Sequence, residues 1–245
     1  MSGRGDRILE GVGVALVAAG LGFLVGRLLD SMFDTSFIAY VTAAIALLNG
    51  AISGWRGIYA WRTAPGYAAF VLDSTWSLVM TTAGAFANVW GLVARDSDYL
   101  PALSERKNVH VYRLGLMPRS GFAITLGNVI GGAGDVERES RGLLIEEHEV
   151  VHSWQARWLG PIFPILYGLW SLLGALYGVA MWAIRHRDQP FGKVVETYSY
   201  YCNPVEWWAY SRAGKWRPSK MEDGCGWRKR MVRPHAQVVA RSPDQ

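Results

Sequence analysis

The chain has 245 residues, 51% of them apolar, with a formal net charge of +5 and a pI near 9.3. The 18% of charged residues gather outside the apolar runs, a composition that points to lipid. Two cysteines, Cys202 and Cys225, form no C-x-x-C and exclude a disulfide framework; in the cytoplasm they stay reduced.

Ile8 to Leu29 is long enough to cross a bilayer as a helix, with Glu10 and Arg27 near its ends. Phe37 to Tyr59 is a second candidate. The link between them carries Asp30 and Asp34, whereas Arg4, Arg7, Arg56 and Arg62 lie on the other side. The positive-inside rule puts both ends of this hairpin in the cytoplasm. Gly and Ala are frequent in both segments, as in close-packed membrane helices. No small-x-small cleavage site follows the first segment, which therefore reads as an uncleaved anchor.

Tyr67 to Val93 is apolar but cut by Asp73 and a run of Ser and Thr. A span would place Asp73 in lipid, where a carboxylate is expensive; an interfacial or re-entrant helix avoids part of that cost. Asp73 reads as a helix cap or a structural hydrogen bond. Ser104 to Gly134 alternates in character and predicts a β-hairpin or small sheet, with a turn at Pro118-Arg119-Ser120-Gly121. His110 lies on the first strand and reads as structural. Gly131-Gly132-Ala133-Gly134 reads as a flexible link, and no Lys-Ser/Thr follows to make it a phosphate loop.

His148-Glu149-Val150-Val151-His152 then reads H-E-x-x-H. Residues four apart share a helix face, so two imidazoles can reach one Zn²⁺, and Glu149 can act as general base. Leu143 to Leu159 contains no Gly or Pro and predicts one continuous helix, ended by Gly160-Pro161. Leu144, Val151 and Trp158 recur at sevens, with Ile145 and Trp154 nearby, and predict an apolar face. No His follows at metzincin spacing, since Gln155 and Trp158 stand there. Pro161 to Ile184 is again long enough to span. Asn203-Pro204 is a helix start, with Asn203 as N-cap. The segment from Lys215 to Arg241 is basic and reads as a solvated cytoplasmic tail, or one drawn to anionic headgroups; no nucleic-acid partner is expected.

His148-Glu149-Val150-Val151-His152-Ser153-Trp154-Gln155, Leu159-Gly160-Pro161 and Glu206-Trp207-Trp208-Ala209 together resemble small bacterial membrane proteins of the H-E-x-x-H type. More loosely they resemble integral-membrane gluzincins. The resemblance covers roughly residues 120 to 212. It implies a membrane zinc metallopeptidase with His148, His152 and Glu206 as ligands and Glu149 as base. The gluzincin pattern places the third ligand in Glu-x-x-Ala, which Glu206 to Ala209 supplies, followed by Tyr210 where many members have Asp. Glu196 is the rival ligand. Tyr198, Tyr200, Tyr201, Tyr210 and Asn128 are candidates to touch the transition state or substrate. In zincins a strand beside the active helix often pairs with substrate, and residues 122–130 are the candidate; a purely structural strand is the equal alternative.

The expected fold is mainly α: membrane helices with a small hairpin or sheet beside a zincin-like helix. Residues 1–97 form a membrane region, with a helical hairpin and a re-entrant or third helix. Residues 98–214 form the catalytic region with an apolar insertion at 161–184, and 215–245 the tail. If Glu206 binds the metal, 161–184 is expected to re-enter, breaking near Gly168 or Gly174, or to lie along the interface; otherwise it spans. The expected setting is a multi-pass cell-membrane protein. Its site is expected at the cytoplasmic side or membrane interface, with Zn²⁺ as cofactor, a peptide or membrane-protein substrate, and lipids as partners. The alternatives are a non-catalytic membrane protein with a structural zinc, or a lipid-binding scaffold.

Overall fold

The structure is a computed structural model and describes residues 4–94, 97–115, 122–213 and 215. The turn at 118–121, Cys225 and the basic tail beyond Lys215 lie outside the described residues. The fold is mainly helical with one three-stranded sheet. The chain divides into two compact units, Met1–Pro161 and Ile162–Gln245.

The first unit begins with α1 (Arg4–Phe33) and α2 (Ile38–Trp55), an antiparallel hairpin. Its interface is made by small residues. A Cβ on Gly22 would lie 2.7 Å from the Thr42 carbonyl oxygen, and one on Gly50 would lie 2.9 Å from Ala18 Cβ. Thr42 Oγ1 donates to the Gly22 carbonyl at 2.8 Å across that seam. Asp30, at the end of α1, caps α2: it accepts from the amides of Ile38 and Ala39 at 3.0 and 3.1 Å. An acidic side chain thus meets the orphan donors and positive dipole end of a helix N-terminus.

Next come α3 (Ala64–Ser74) and α4 (Leu78–Val93), bent by 91° at the intervening break. Tyr67 to Val93 is therefore two helices around an elbow, a broken span or a re-entrant loop. A short α5 (Pro101–Ser104) leads to β1 (His110–Val111), β2 (Ile124–Leu126) and β3 (Val129–Gly131). The sheet order is β1-β3-β2, with β1 parallel and β2 antiparallel to β3. Gly127, at φ +58°, sits in the two-residue turn between β2 and β3, where Gly is favoured. Gly131 to Gly134 is no flexible link. Gly131 ends β3, Gly132 donates to Leu114, Ala133 to Tyr112 and Gly134 to Arg113, extending the pairing beyond β1.

The predicted single helix over Leu143–Leu159 is three pieces. α6 (Glu139–Leu143) passes into a π-helical turn at Leu144–Glu149, and α7 (Val150–Leu159) follows. Ile145, Leu144 and Val150 pack with Val109, Val111 and Ile130 of the sheet region. The expected apolar face fails at its far end: Trp158 is 56% exposed. The buried side of α7 is instead largely polar: His152, Ser153, Gln155 and Arg157, with Ala156.

In the second unit, α8 (Ile162–Arg185) is continuous, without the break expected near Gly168 or Gly174. The chain returns beside it through α9 (Phe191–Glu196), a π-helical turn at Thr197–Tyr201, and α10 (Pro204–Arg212). Gly178 faces Val195, Gly174 faces Tyr198, Asn203 Nδ2 donates to Ser171 Oγ at 3.3 Å, and Tyr167 meets Glu206. This register is that of an antiparallel hairpin. Glu206 is thereby returned to the level of Tyr167 without bending α8. Asn203 caps α10 as expected, accepting from the Val205 amide at 2.9 Å with Pro204 at the first helical position.

Among the described residues, three helices, Gly5–Phe33, Ile38–Trp55 and Ile162–Arg185, are long and apolar enough to cross a membrane, and the α3–α4 pair could make a fourth span.

Candidate metal centre

Within the first unit, the π-helical turn ends where α7 begins, so the H-E-x-x-H segment straddles a change of helical pitch. π-Turns embedded in α-helices frequently mark functional sites. His148 and His152 still share a face. Their Nε2 atoms are 3.1 Å apart and their rings are perpendicular, with centroids 4.7 Å apart. Two nitrogens bound tetrahedrally to one zinc at 2.0–2.1 Å would lie roughly 3.3 Å apart. The pair thus stands close to ligand spacing.

Gln155, one turn on and fully buried, takes the other side of His152. Its Oε1 lies 2.7 Å from Nδ1. An amide oxygen only accepts, so the proton sits on Nδ1 and the Nε2 lone pair faces His148. That tautomer is the ligating one.

Glu149 is 6% exposed. Thr125, the middle residue of edge strand β2, donates its hydroxyl to Glu149 Oε2 at 2.7 Å. The edge strand is thus tied to the intervening acid. The 122–130 candidate lies beside the motif, as the sequence reading expected.

In the second unit, Glu206 sits in the first turn of α10 and is 1% exposed, and the Tyr167 hydroxyl donates to its Oε1 at 3.1 Å. Tyr210 lies one turn further along and is buried; burial first, then the Glu206 carboxylate, push its phenol well above its usual value. Tyr198 is half-buried and packs edge-on against Tyr177 at 5.0 Å. Tyr201 stacks edge-on with Tyr200 at 5.0 Å, and its carbonyl accepts from the Trp207 indole.

His148, His152 and Glu206 are a group of metal-ligating residue types that could hold a metal ion. Among the described residues, no such group includes Glu196.

Asn128 lies elsewhere in the first unit. It is fully buried, and its Nδ2 donates to Asn49 Oδ1 on α2 at 2.9 Å. His110 likewise faces α2, with Nε2 3.0 Å from Ser53 Oγ. Both belong to a buried polar chain that runs through Asn49 and Tyr59 to Asp73.

Sequence reasoning missed Thr125, Tyr167 and Arg157. Thr125 and Tyr167 lie 24 and 39 residues from their carboxylate partners, and no spacing rule spans such distances. Arg157 had a signal, a charge inside a helix that ends in an apolar run. Comparison with protein-family profiles, curated proteins and solved structures finds no match to this chain.

Proposed function

We propose that the protein is a membrane-embedded zinc metallopeptidase, with His148, His152 and Glu206 as ligands and Glu149 as general base. One observation carries this reading: two buried imidazoles turn ligating nitrogens toward each other at 3.1 Å, with Gln155 holding the tautomer. Two imidazoles and one carboxylate are also the donor set that suits Zn²⁺ in hydrolases and leaves a position for water.

Zinc, when bound, polarises a carbonyl and acidifies water toward pKa ~7. The chain's own residues then do the rest. Glu149 accepts the proton of the attacking water and delivers it to the leaving amine. Thr125 keeps one oxygen of Glu149 engaged, so the other is the one turned to the reaction. Edge strand β2 offers main-chain groups to an extended peptide. Tyr167 orients the Glu206 carboxylate. The three long apolar helices support a reaction at a membrane, where a membrane-protein substrate would be accessible.

The test joins metal analysis to turnover. Purified protein carries close to one zinc per chain, and Glu206→Ala loses it. Glu149→Gln keeps the zinc and loses peptide hydrolysis by about 10²-fold or more, in the range that a general base contributes. A Glu149→Gln protein with full activity sinks the catalytic role. The rival reading, a zinc that only staples the fold, draws on the near-complete burial of His148 and Glu149. It predicts that Glu149→Gln changes nothing while His148→Ala unfolds the protein.

A further inference from the structure

The last turn of α7 is gripped by the elbow between α3 and α4. A helix ends with four carbonyls that lack an intrahelical partner. Ser77 Oγ donates to the carbonyl of Ala156, and Trp76 Nε1 to that of Trp158, each at 3.0 Å. Between them Arg157 turns inward. Its Nε and one Nη donate to the two oxygens of Asp73 at 2.8 and 2.9 Å, and the same Nη reaches the Asn108 carbonyl. Both side chains of this ion pair are 1% exposed, and the Tyr59 hydroxyl donates to Asp73 Oδ2 at 3.2 Å. Gly160 completes the fit: at φ +52°, a Cβ there would lie 2.8 Å from the Trp76 carbonyl oxygen.

Consecutive positions 156, 157 and 158 are therefore each held by one residue of the elbow. His152 precedes Arg157 by five residues, about 7.5 Å along the helix. His148 sits across the pitch change in the π-helical turn. Leu144 and Ile145 of that turn pack on the sheet, so a slide or rotation of α7 against the elbow would strain the pitch change that sets His152 against His148.

We propose that Asp73, Trp76 and Ser77 form a positioning clamp, borne by a bent pair of membrane-type helices, which sets α7 in the register that converges His148 and His152. The clamp rests on the metal reading above, as the site it positions. Its residues touch neither substrate nor metal.

The test uses the full chain in detergent micelles. Trp76→Phe with Ser77→Ala removes both carbonyl contacts and leaves the ion pair intact. Thr42→Val, which removes a hydrogen bond in the α1–α2 seam, is the control for general destabilisation. Zinc affinity is read by competition with a chromophoric chelator, ligand geometry by the visible spectrum of bound Co²⁺, and the hold on α7 by amide exchange over residues 150–159. The double variant is expected to bind zinc about tenfold more weakly, the low end for residues that support ligands. It should also shift the Co²⁺ bands and exchange faster over 150–159, while Thr42→Val does none of these. Unchanged zinc affinity and Co²⁺ spectrum in the double variant overturn the clamp, whatever the exchange. If the unsubstituted protein takes up no zinc, the metal reading fails by itself. Exchange then decides the clamp: faster exchange over 150–159 upholds the grip on α7, and unchanged exchange overturns it.

Discussion

Gln155 and Thr125 each make one short hydrogen bond to a residue of the H-E-x-x-H segment. Gln155 accepts from Nδ1 of His152 and so decides that Nε2 is the nitrogen turned to His148. Replacing it by Leu keeps the volume and removes the acceptor. Zinc affinity should fall 10- to 100-fold, the usual cost of losing a partner that orients a ligating imidazole; chelator competition measures it. Thr125→Val removes only the hydroxyl that engages Glu149 Oε2. Its expected result is slower hydrolysis at unchanged metal content, read by turnover against bound zinc. A variant that loses zinc instead would move Thr125 from the acid to the metal.

At the scale of elements, the α1–α2 hairpin and the α8–α10 return each rest on small residues at a seam. In lipid there is no hydrophobic drive between helices, so close backbone approach and cross-helix hydrogen bonds must hold them. Gly22 and Gly50 leave no room for a Cβ against Thr42 and Ala18. Gly50→Leu should therefore destabilise the hairpin by about 1–3 kcal/mol, the range for overpacking a filled interface. Reversible unfolding in mixed micelles, compared with the exposed position Leu24→Ala, checks it. The small residues were visible in the sequence, but their partners were not. The same holds for α8: its length and apolarity were legible, and of the alternatives offered for it the break near Gly168 or Gly174 is not present. Gly174 and Gly178 are not breakers. They are the flat track along which Val195 and Tyr198 return. A glycine reads identically in sequence whether it bends a helix or admits a neighbour.

At the scale of the first unit, a buried polar chain joins the α1–α2 hairpin to the sheet and to α7. His110 of β1 is fully buried. Loss of solvent, then the Arg56 and Arg157 charges, hold its imidazole well below the usual histidine value. It is neutral in the fold, whereas in the unfolded chain it gains a proton below pH ~6.5. The stability it contributes is therefore present above pH ~6.5 and is lost as pH falls, by at most about 1.4 kcal/mol per pH unit. Thermal unfolding from pH 8 to pH 5 should show that decline. His110→Gln should lose this component, and an identical pH profile in the variant would remove His110 from it. Asp73 belongs to the same chain. Its carboxylate is tolerated in an apolar segment because Arg157 and Tyr59 satisfy it. The sequence reading of Asp73 as structural is in keeping with that, although its partner lies 84 residues away.

The sequence by itself determined the apolar helices, the cap at Asn203, the strand region and the spacing of His148 and His152. Each is a local property, set by a hydrophobic run, a capping residue or a period of 3.6. Only the tertiary structure decided the π-helical turn within the motif, the tautomer set by Gln155, the elbow at the end of α7 and the unbroken α8. Those depend on which groups meet across tens of residues: a buried polar group must find a partner, and the chain must bend to where that partner is. The H-E-x-x-H spacing proposed the chemistry, and the burial of polar groups along α7 set the geometry that could carry it.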